Sequence, residues 1–206
     1  MNWRLGFLLW VLASASAAAA APVSDKAQTP QATALQQMAS WQLPQGKLLF
    51  TQQKWIRGLK RPLKSQGYLQ LSPQSLDWVT EQPVQSAVRL DKQGVQQQLA
   101  GTFQLQAGTE LIGHLMLAVL QQDQAFLQQY FSLQPVQSSA GQAPSGQEQT
   151  GQCVQLVPLQ APLTNFYRHI VLCGEGSLSR IELIELAGNR SEILLTAAPD
   201  SAKTAL

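Results

Sequence analysis

The residues able to do chemistry are few and widely spaced in this chain. The histidines, His114 and His169, are far apart, and neither belongs to a motif with metal-ligand spacing. A zinc site generally requires three or four His, Cys or carboxylate ligands. No G-x-S-x-G or S-x-x-K pattern marks a serine nucleophile, and the two-residue period of a strand predicts Glu182 and Glu185 on opposite faces. We therefore expect no metal site, no cofactor and no enzymatic activity.

The cysteines, Cys153 and Cys173, are predicted to form a structural disulfide. Segments 152–159 and 166–173 can pair as antiparallel strands across the loop 160–165, which sets Cys153 opposite Cys173. Directly opposed residues have Cβ atoms close enough to bridge. Because a C-x-x-C motif is lacking, a structural role is favoured over a redox-active pair.

A basic run places five of the fourteen Lys and Arg residues within eleven positions. They are Lys54, Arg57, Lys60, Arg61 and Lys64, interleaved with Trp55, Ile56, Leu59 and Leu63. One interpretation is an exposed edge where lysines discourage pairing with another chain. The other is a docking surface for an acidic partner or for anionic lipid headgroups, with Trp55 at the interface. The net charge of +2, with 13% charged residues, argues against nucleic-acid binding.

Residues 1–20 are predicted to be a secretory signal peptide. A positive start with Arg4 precedes an apolar stretch at 5–13 and small residues up to Ala21. No later stretch approaches the roughly 20 apolar residues that a spanning helix needs. Residues 21–206 then amount to a single domain. Within it, the low-complexity segment 138–151 is predicted to be a flexible loop.

Short apolar runs broken by Gly, Pro and Ser predict an antiparallel sheet or barrel. A helical segment at 33–41 precedes the first strand. A second at 108–130, in two pieces with Asp123 as N-cap of the second, interrupts the β pattern. Residues 65–67 are interpreted as a turn. The predicted strands are 47–56, 67–71, 75–80, 84–90, 95–99, 102–106, 153–159, 166–173, 178–186 and 191–196.

The order of motifs between 48 and 90 resembles the periplasmic outer-membrane lipoprotein carriers, the LolA-like proteins. The resemblance rests on Phe50-x-Gln52, the strand 67–71 that begins at Gly67, Pro73 followed by Trp78, and Pro83. The closing strand, turn and strand from 179 to 190 extend it over most of the mature chain. It implies a mainly β fold with some α: an antiparallel half-open β-barrel covered by short helices.

The resemblance also implies a function. The chain is expected to be a monomeric periplasmic carrier that ferries an acylated cargo, a lipoprotein or another lipid, from an inner-membrane exporter to an outer-membrane acceptor, with transient membrane-surface contact. The alternative is an interaction or regulatory module whose barrel core is filled. In the best-described family members an Arg precedes the Pro of the third strand and helps to hold the cavity cover closed. Here that position is Ser72, so this closing contact is expected to be different or absent, and the chain resembles a divergent branch of the family. The expected cavity-lining residues are Trp55, Leu69, Leu71, Leu76, Trp78, Phe103, Leu111 and Leu115. The expected docking residues are Arg57, Lys60, Arg61 and Lys64.

Overall fold

The computed structural model describes residues 29–42, 46–136 and 152–198. The predicted signal peptide, 1–20, and the predicted flexible loop, 138–151, lie outside these residues. The described chain forms one 11-stranded antiparallel sheet with four short helices. The strands are β1 (Lys47–Trp55), β2 (Leu63–Leu71), β3 (Ser75–Gln82), β4 (Ser86–Asp91), β5 (Gly94–Leu99), β6 (Thr102–Gln106), β7 (Phe131–Val136), β8 (Gln152–Pro158), β9 (Tyr167–Gly174), β10 (Leu178–Glu185) and β11 (Arg190–Ala197).

The helices are α1 (Pro30–Ala39), α2 (Glu110–Gln121), α3 (Gln124–Tyr130) and α4 (Leu163–Phe166). The start of α1 follows from Thr29, whose side chain accepts a hydrogen bond from the Ala32 amide, and from proline at the first helical position. Asp123 caps α3 by accepting from the Phe126 amide, as predicted. Within the described part of the chain, no helix has the length and apolar character needed to cross a membrane.

The order of the strands in the sheet explains why it stays open. It runs β6-β5-β4-β3-β2-β1-β11-β10-β9-β8-β7, so the first and last strands of the chain pair at the centre. The edges are β6 and β7, which do not pair with each other. The predicted mainly β fold with some α, an antiparallel half-open β-barrel covered by short helices, is confirmed as one unclosed 11-stranded antiparallel sheet with four short helices.

Side-chain alternation gives the sheet two faces, which we call the core face and the outer face. The core face carries Phe50, Leu69, Leu76 and Ile193, none of them more than 2% exposed. These residues belong to one hydrophobic cluster that also includes side chains of α1 and α2. The outer face carries the alternate residues.

The disulfide between Cys153 and Cys173 is present, as predicted. The two residues are paired across β8 and β9, and their Cα atoms are 4.1 Å apart. The guanidinium of Arg180 lies 2.9 Å from the Cys173 sulfur on the outer face.

Three segments differ from the sequence-based expectation. One is α4, a short helix within the predicted loop 160–165 and the first residue of the next predicted strand. Residues 65–67 were expected to turn, but they lie inside β2, where Ser65 donates a hydrogen bond to the Gln52 side chain. The strand β7 was not predicted, because Pro135 interrupts its pattern. It is an edge strand, where the missing amide of a proline is tolerated.

Candidate functional site

The core face forms the floor of the candidate site. At its centre, Phe50 and Leu69 lie on adjacent strands, and the ring of Trp78 packs 5.1 Å from the ring of Phe50. Leu195 and Ile193 continue the apolar surface onto β11. The floor is therefore contiguous across the middle of the sheet.

Two helices pack on the sheet to either side of this floor, and their side chains join the same hydrophobic cluster. Helix α1 packs on β7 and β8 and contributes Ala34 and Met38, both fully buried. Helix α2 packs on β3, β4 and β5. The cover therefore consists of two separate helices rather than a further layer of sheet.

Helix α2 is buried all round. Its residues 115–120 are six consecutive positions, each no more than 9% exposed. A surface helix normally buries one apolar stripe, whereas a helix that is apolar on every side is buried throughout. Here the sheet lies on one side of α2 and α3 packs on it as well. The helix is thus an apolar insert between the floor and α3.

Neutral amide hydrogen bonds hold the end of α2. The Gln121 side chain donates to the Ser72 and Pro73 carbonyls, both at 3.1 Å, and Gln122 donates to the Trp41 carbonyl at 3.0 Å. We call Gln121 and Gln122 the glutamine latch. It ties the end of α2 to the β2–β3 turn and to Trp41, two residues after the end of α1.

Ser72 itself does not reach the helices with its side chain. Its hydroxyl oxygen accepts from the Ser75 amide at 3.0 Å and lies 2.9 Å from the Ser75 hydroxyl. The Ser72 carbonyl is the atom that contacts α2. The contact between α2 and the β2–β3 turn is therefore made by the Gln121 side chain with the backbone of residues 72 and 73. Sequence reasoning did not identify Gln121 or Gln122, because glutamine occurs throughout the chain.

Removing the Gln121 donor should loosen α2. The variant Gln121→Glu loses both hydrogen bonds and points a carboxylate at two carbonyl oxygens, so the closed arrangement should weaken by about 1–3 kcal/mol at 0.5–1.5 kcal/mol per bond. Hydrogen–deuterium exchange of the α2 amides should be faster in this variant. The control is Gln128→Glu, the same change at an exposed position of α3. Unchanged α2 exchange in Gln121→Glu would contradict a latch role.

Two clefts near the site are polar. One, of about 560 Å³, lies between α2 and the β2–β3 and β4–β5 turns, and its lining includes Arg89, Asp91, His114 and Asp123. The other, of about 390 Å³, is lined by residues of β1, β2 and the end of β3, including Lys64. Their linings do not suit an acyl chain. The apolar surface of the site is the interior itself, occupied by side chains of α1 and α2.

The structure distributes the predicted lining residues over both faces. Leu69, Leu76 and Leu115 are fully buried in the central cluster, whereas Leu71, Trp78 and Leu111 are partly buried against it. Trp55 and Phe103 lie on the outer face instead. Trp55 lies under the guanidinium of Arg190 at 4.7 Å, and Phe103 under that of Arg89 at 4.5 Å.

The outer face near Trp55 holds a network of paired charges. Arg190 contacts both Glu182 and Glu192, and Arg180 lies 3.5 Å from Glu192. Each carboxylate is therefore matched by a guanidinium, which compensates its burial. Pairing of this kind is consistent with a structural role for these charges. Glu182 is an ion-pair partner of Arg190.

The histidines lie in separate environments. His114 on α2 stacks 4.2 Å from the ring of Phe126, while His169 lies on β9. Burial lowers the pKa of His169; the charge of Glu182 opposes the shift and that of Arg168 adds to it. Among the described residues, no group of three His, Cys, Asp or Glu side chains could hold a metal ion.

The predicted docking residues lie together in the connection between β1 and β2 or at the start of β2. Arg57, Lys60, Arg61 and Lys64 are all exposed. The Arg57 amide donates to the Asn189 side chain at 3.1 Å, which fixes this connection to the β10–β11 turn. Lys54 points elsewhere and pairs with Glu185 at 3.1 Å. Burial would raise the pKa of Glu185, but hydrogen bonds from Asn189 and Lys54 and the charge of Lys54 lower it overall.

With the geometry established, the chain can be compared with known proteins. Several solved structures align with most of the chain at low identity and low TM-score. A LolA superfamily protein from Nitrosomonas europaea has 10% identity and a TM-score of 0.44, over 85% of this chain and 98% of that one. The lipoprotein LppX from Mycobacterium tuberculosis has 9% identity and a TM-score of 0.41, over 80% and 93%. LprF from Mycobacterium bovis has 9% identity and a TM-score of 0.37, over 81% and 93%.

No protein-family model matches the sequence, and no curated protein matches it. At these identities and TM-scores the likeness concerns the fold alone.

Proposed function

We propose that the chain is a periplasmic carrier that takes an acyl group into the space between the core face and the covering helices. The cargo is a lipoprotein or another lipid, received from an inner-membrane exporter and delivered to an outer-membrane acceptor. Transfer follows differences in affinity and needs no covalent step, so we propose no catalytic residue. The carrier acts as a monomer.

One observation carries this proposal: a contiguous apolar floor lies under helices whose ends are tied down by neutral hydrogen bonds. The glutamine latch contributes three such bonds, each worth about 0.5–1.5 kcal/mol net. Residues 115–120 of α2 are all apolar, so this part of the helix can leave the floor while keeping apolar contacts with α3 or with the cargo. A cover of this kind can open without breaking a covalent bond.

The hydrophobic free energy gained by burying an acyl chain compensates for the displacement of the covering helix α2. Burying a methylene group gains about 0.8 kcal/mol, so a long acyl chain can replace much of what the floor loses when α2 moves. Opening and closing of such elements commonly controls access to ligand sites. Leu71, Trp78 and Leu111, which are partly buried at the margin of the cluster, are the side chains an entering chain would contact first.

The second candidate is an interaction or regulatory module with a filled core. The specific observation in its favour is that the central cluster is packed with the protein's own side chains in this conformation. In that case the helices would stay in place, and binding would use an exterior surface.

Native mass spectrometry of protein purified without detergent, followed by solvent extraction and lipid analysis, tests the carrier. A bound acyl species supports it and identifies the class of cargo. An apo mass, together with no uptake of a fluorescent fatty acid, would instead favour the filled module.

A pair of leucine variants locates the binding surface. Leu111→Trp places extra bulk at the margin of the interior and should exclude about two methylene groups, weakening fatty-acid binding roughly tenfold. Leu105→Trp makes the same change at an exposed position on β6 and should bind like the unmodified protein. Equal binding by both variants would place the fatty acid elsewhere.

A further inference from the structure

The antiparallel order brings five chain connections to one end of the sheet. Strands β1, β3, β5, β8 and β10 all finish there, and their partners begin there, as the facing pairs Lys54 with Leu63, Leu99 with Thr102, and Ile184 with Arg190 show. The connections are 56–62, 83–85, 100–101, 159–166 and 186–189. We call them, with their flanking residues, the basic end. Helix α2 lies at the opposite end, where Gln121 meets the β2–β3 turn.

Most of the exposed large apolar side chains cluster at the basic end. Of the nine such residues in the described chain, seven lie there, each between 42% and 73% exposed. They are Leu59, Leu63, Val84, Leu99, Leu159, Phe166 and Leu186. The other two, Leu49 and Leu105, lie on the outer face. Every one of the five connections therefore carries or adjoins an apolar side chain directed to solvent.

Exposed positive charge lies at the same end. The cations are Arg57, Lys60, Arg61, Lys64 and Arg168. Glu81 is the exposed carboxylate there, and Glu185 is neutralised by Lys54. The other exposed acidic residues of the described chain, Glu110, Asp123 and Glu175, lie at the opposite end, where Lys92 is the exposed lysine. The two ends of the strands therefore differ in exposed charge, which is mainly positive at the basic end and mainly negative at the opposite end.

We infer that the basic end docks the protein on an anionic bilayer surface. Single apolar side chains on separate turns can enter the interface between headgroups and acyl chains, while the surrounding cations bind lipid phosphates. A protein partner fits less well, because the cores of protein interfaces are depleted of lysine and have contiguous packed centres. The inference deepens the proposed function and rests on it for its biological purpose: docking would align the sheet with the membrane that donates or accepts the cargo.

Vesicle co-sedimentation tests this surface independently of cargo. The purified protein should bind vesicles of phosphatidylglycerol and phosphatidylcholine, bind pure phosphatidylcholine vesicles much more weakly, and dissociate as salt is raised. The variant K60Q/R61Q should bind the anionic vesicles roughly 30-fold more weakly. Its control is Lys92→Gln, an exposed lysine in the β4–β5 turn at the opposite end, which should bind normally.

A second pair isolates the apolar contribution. L59S/L63S should weaken binding to the anionic vesicles at a salt concentration where the unmodified protein still binds, and Leu105→Ser on the outer face should not. Equal binding to neutral and anionic vesicles, or no binding to either, would overturn the inference. Binding to poly-glutamate but not to vesicles would also overturn it and would indicate an acidic protein partner.

The outcome separates the two proposals. A protein that carries an acyl species in native mass spectrometry but ignores vesicles is a carrier without this docking surface. A protein that binds anionic vesicles through the basic end but holds no acyl species keeps the docking surface and loses the carrier role.

Discussion

Replacing Gly113 with alanine should displace α2 from the sheet and speed the loading of a fluorescent fatty acid. A Cβ at this position would lie 2.4 Å from the Asp91 carbonyl oxygen and 2.6 Å from that of Gly94. Both atoms belong to the backbone of the β4–β5 turn and cannot rotate away. Alanine favours a helix over glycine by up to about 1 kcal/mol, but overpacking of this kind costs about 1–3 kcal/mol, so the steric effect should win.

Two measurements follow from this displacement. The melting temperature should fall by roughly 2–12 °C, given 2–4 °C per kcal/mol for a domain of this size. The loading rate should rise, because the closed state that blocks the floor is the state that is destabilised. The control is Gly108→Ala in the loop before α2, which meets no atom within 4 Å but has a φ of +76°. It should lower the melting temperature through backbone strain without changing the loading rate. A Gly113→Ala protein that melts and loads like the unmodified one would show that α2 does not seat on this turn.

The strand pattern could be predicted from the sequence because alternation and turn residues act locally. Cys153 could be predicted to face Cys173 because two short strands joined by one connection pair in a register that can be counted outward from the loop. Asp123 as the cap of α3 was predictable for the same reason, since its partner is three residues away. Such features need no knowledge of the rest of the fold.

The choice of face was harder to predict. Alternation along β6 separates Phe103 and Leu105 from their neighbours, but it does not say which set meets the core. Phe103 was expected to line the interior, whereas the register places it on the outer face, where Arg89 covers it. Near the edge of an open sheet little core is available, so apolar residues no longer mark the buried side.

The glutamine latch could not be predicted for a different reason. Gln121 meets the carbonyl of Ser72, 49 positions away in the chain, and any glutamine has the same donor. Only the packing of α2 against the sheet selects this one. The sequence did show that position 72 is a serine and not the arginine of the resembled family. The side chain that makes the contact with the turn, Gln121, lies on α2 instead.

Gly67 was interpreted as part of a turn, and its actual role leads to the largest expected loss of stability. It lies inside β2 where the pairing with β3 shifts by one residue: Gln66 faces Gln82, Gly67 faces Thr80, and Glu81 is left over. An extra residue of this kind is a β-bulge, which bends the strand and draws the backbones together. A Cβ on Gly67 would lie 2.0 Å from the Val79 carbonyl oxygen and 3.0 Å from the Glu81 amide nitrogen.

Gly67→Ala should therefore separate β2 from β3 in the interior of the sheet. The cost should be at least about 3 kcal/mol, at the upper end for overpacking, because the obstructing atom is backbone. The loss should extend beyond the bulge, since the Phe50–Trp78 ring contact spans these strands and α2 packs on the strands beyond them. Urea unfolding followed by circular dichroism should show a clearly lower midpoint.

Gly101→Ala provides the comparison for this variant. Its Cβ meets no atom within 4 Å in the β5–β6 turn, so only its φ of +84° opposes the substitution. The change should cost about 1 kcal/mol, the strain of an L residue in a left-handed conformation. If Gly67→Ala unfolded at the same urea concentration as Gly101→Ala, the close approach of β2 and β3 would not be what requires glycine there. A clear difference would mean that Gly67, the glycine that begins the resembled strand motif, is required for the close approach of β2 and β3. That close approach would then be what curves the sheet beneath the helices.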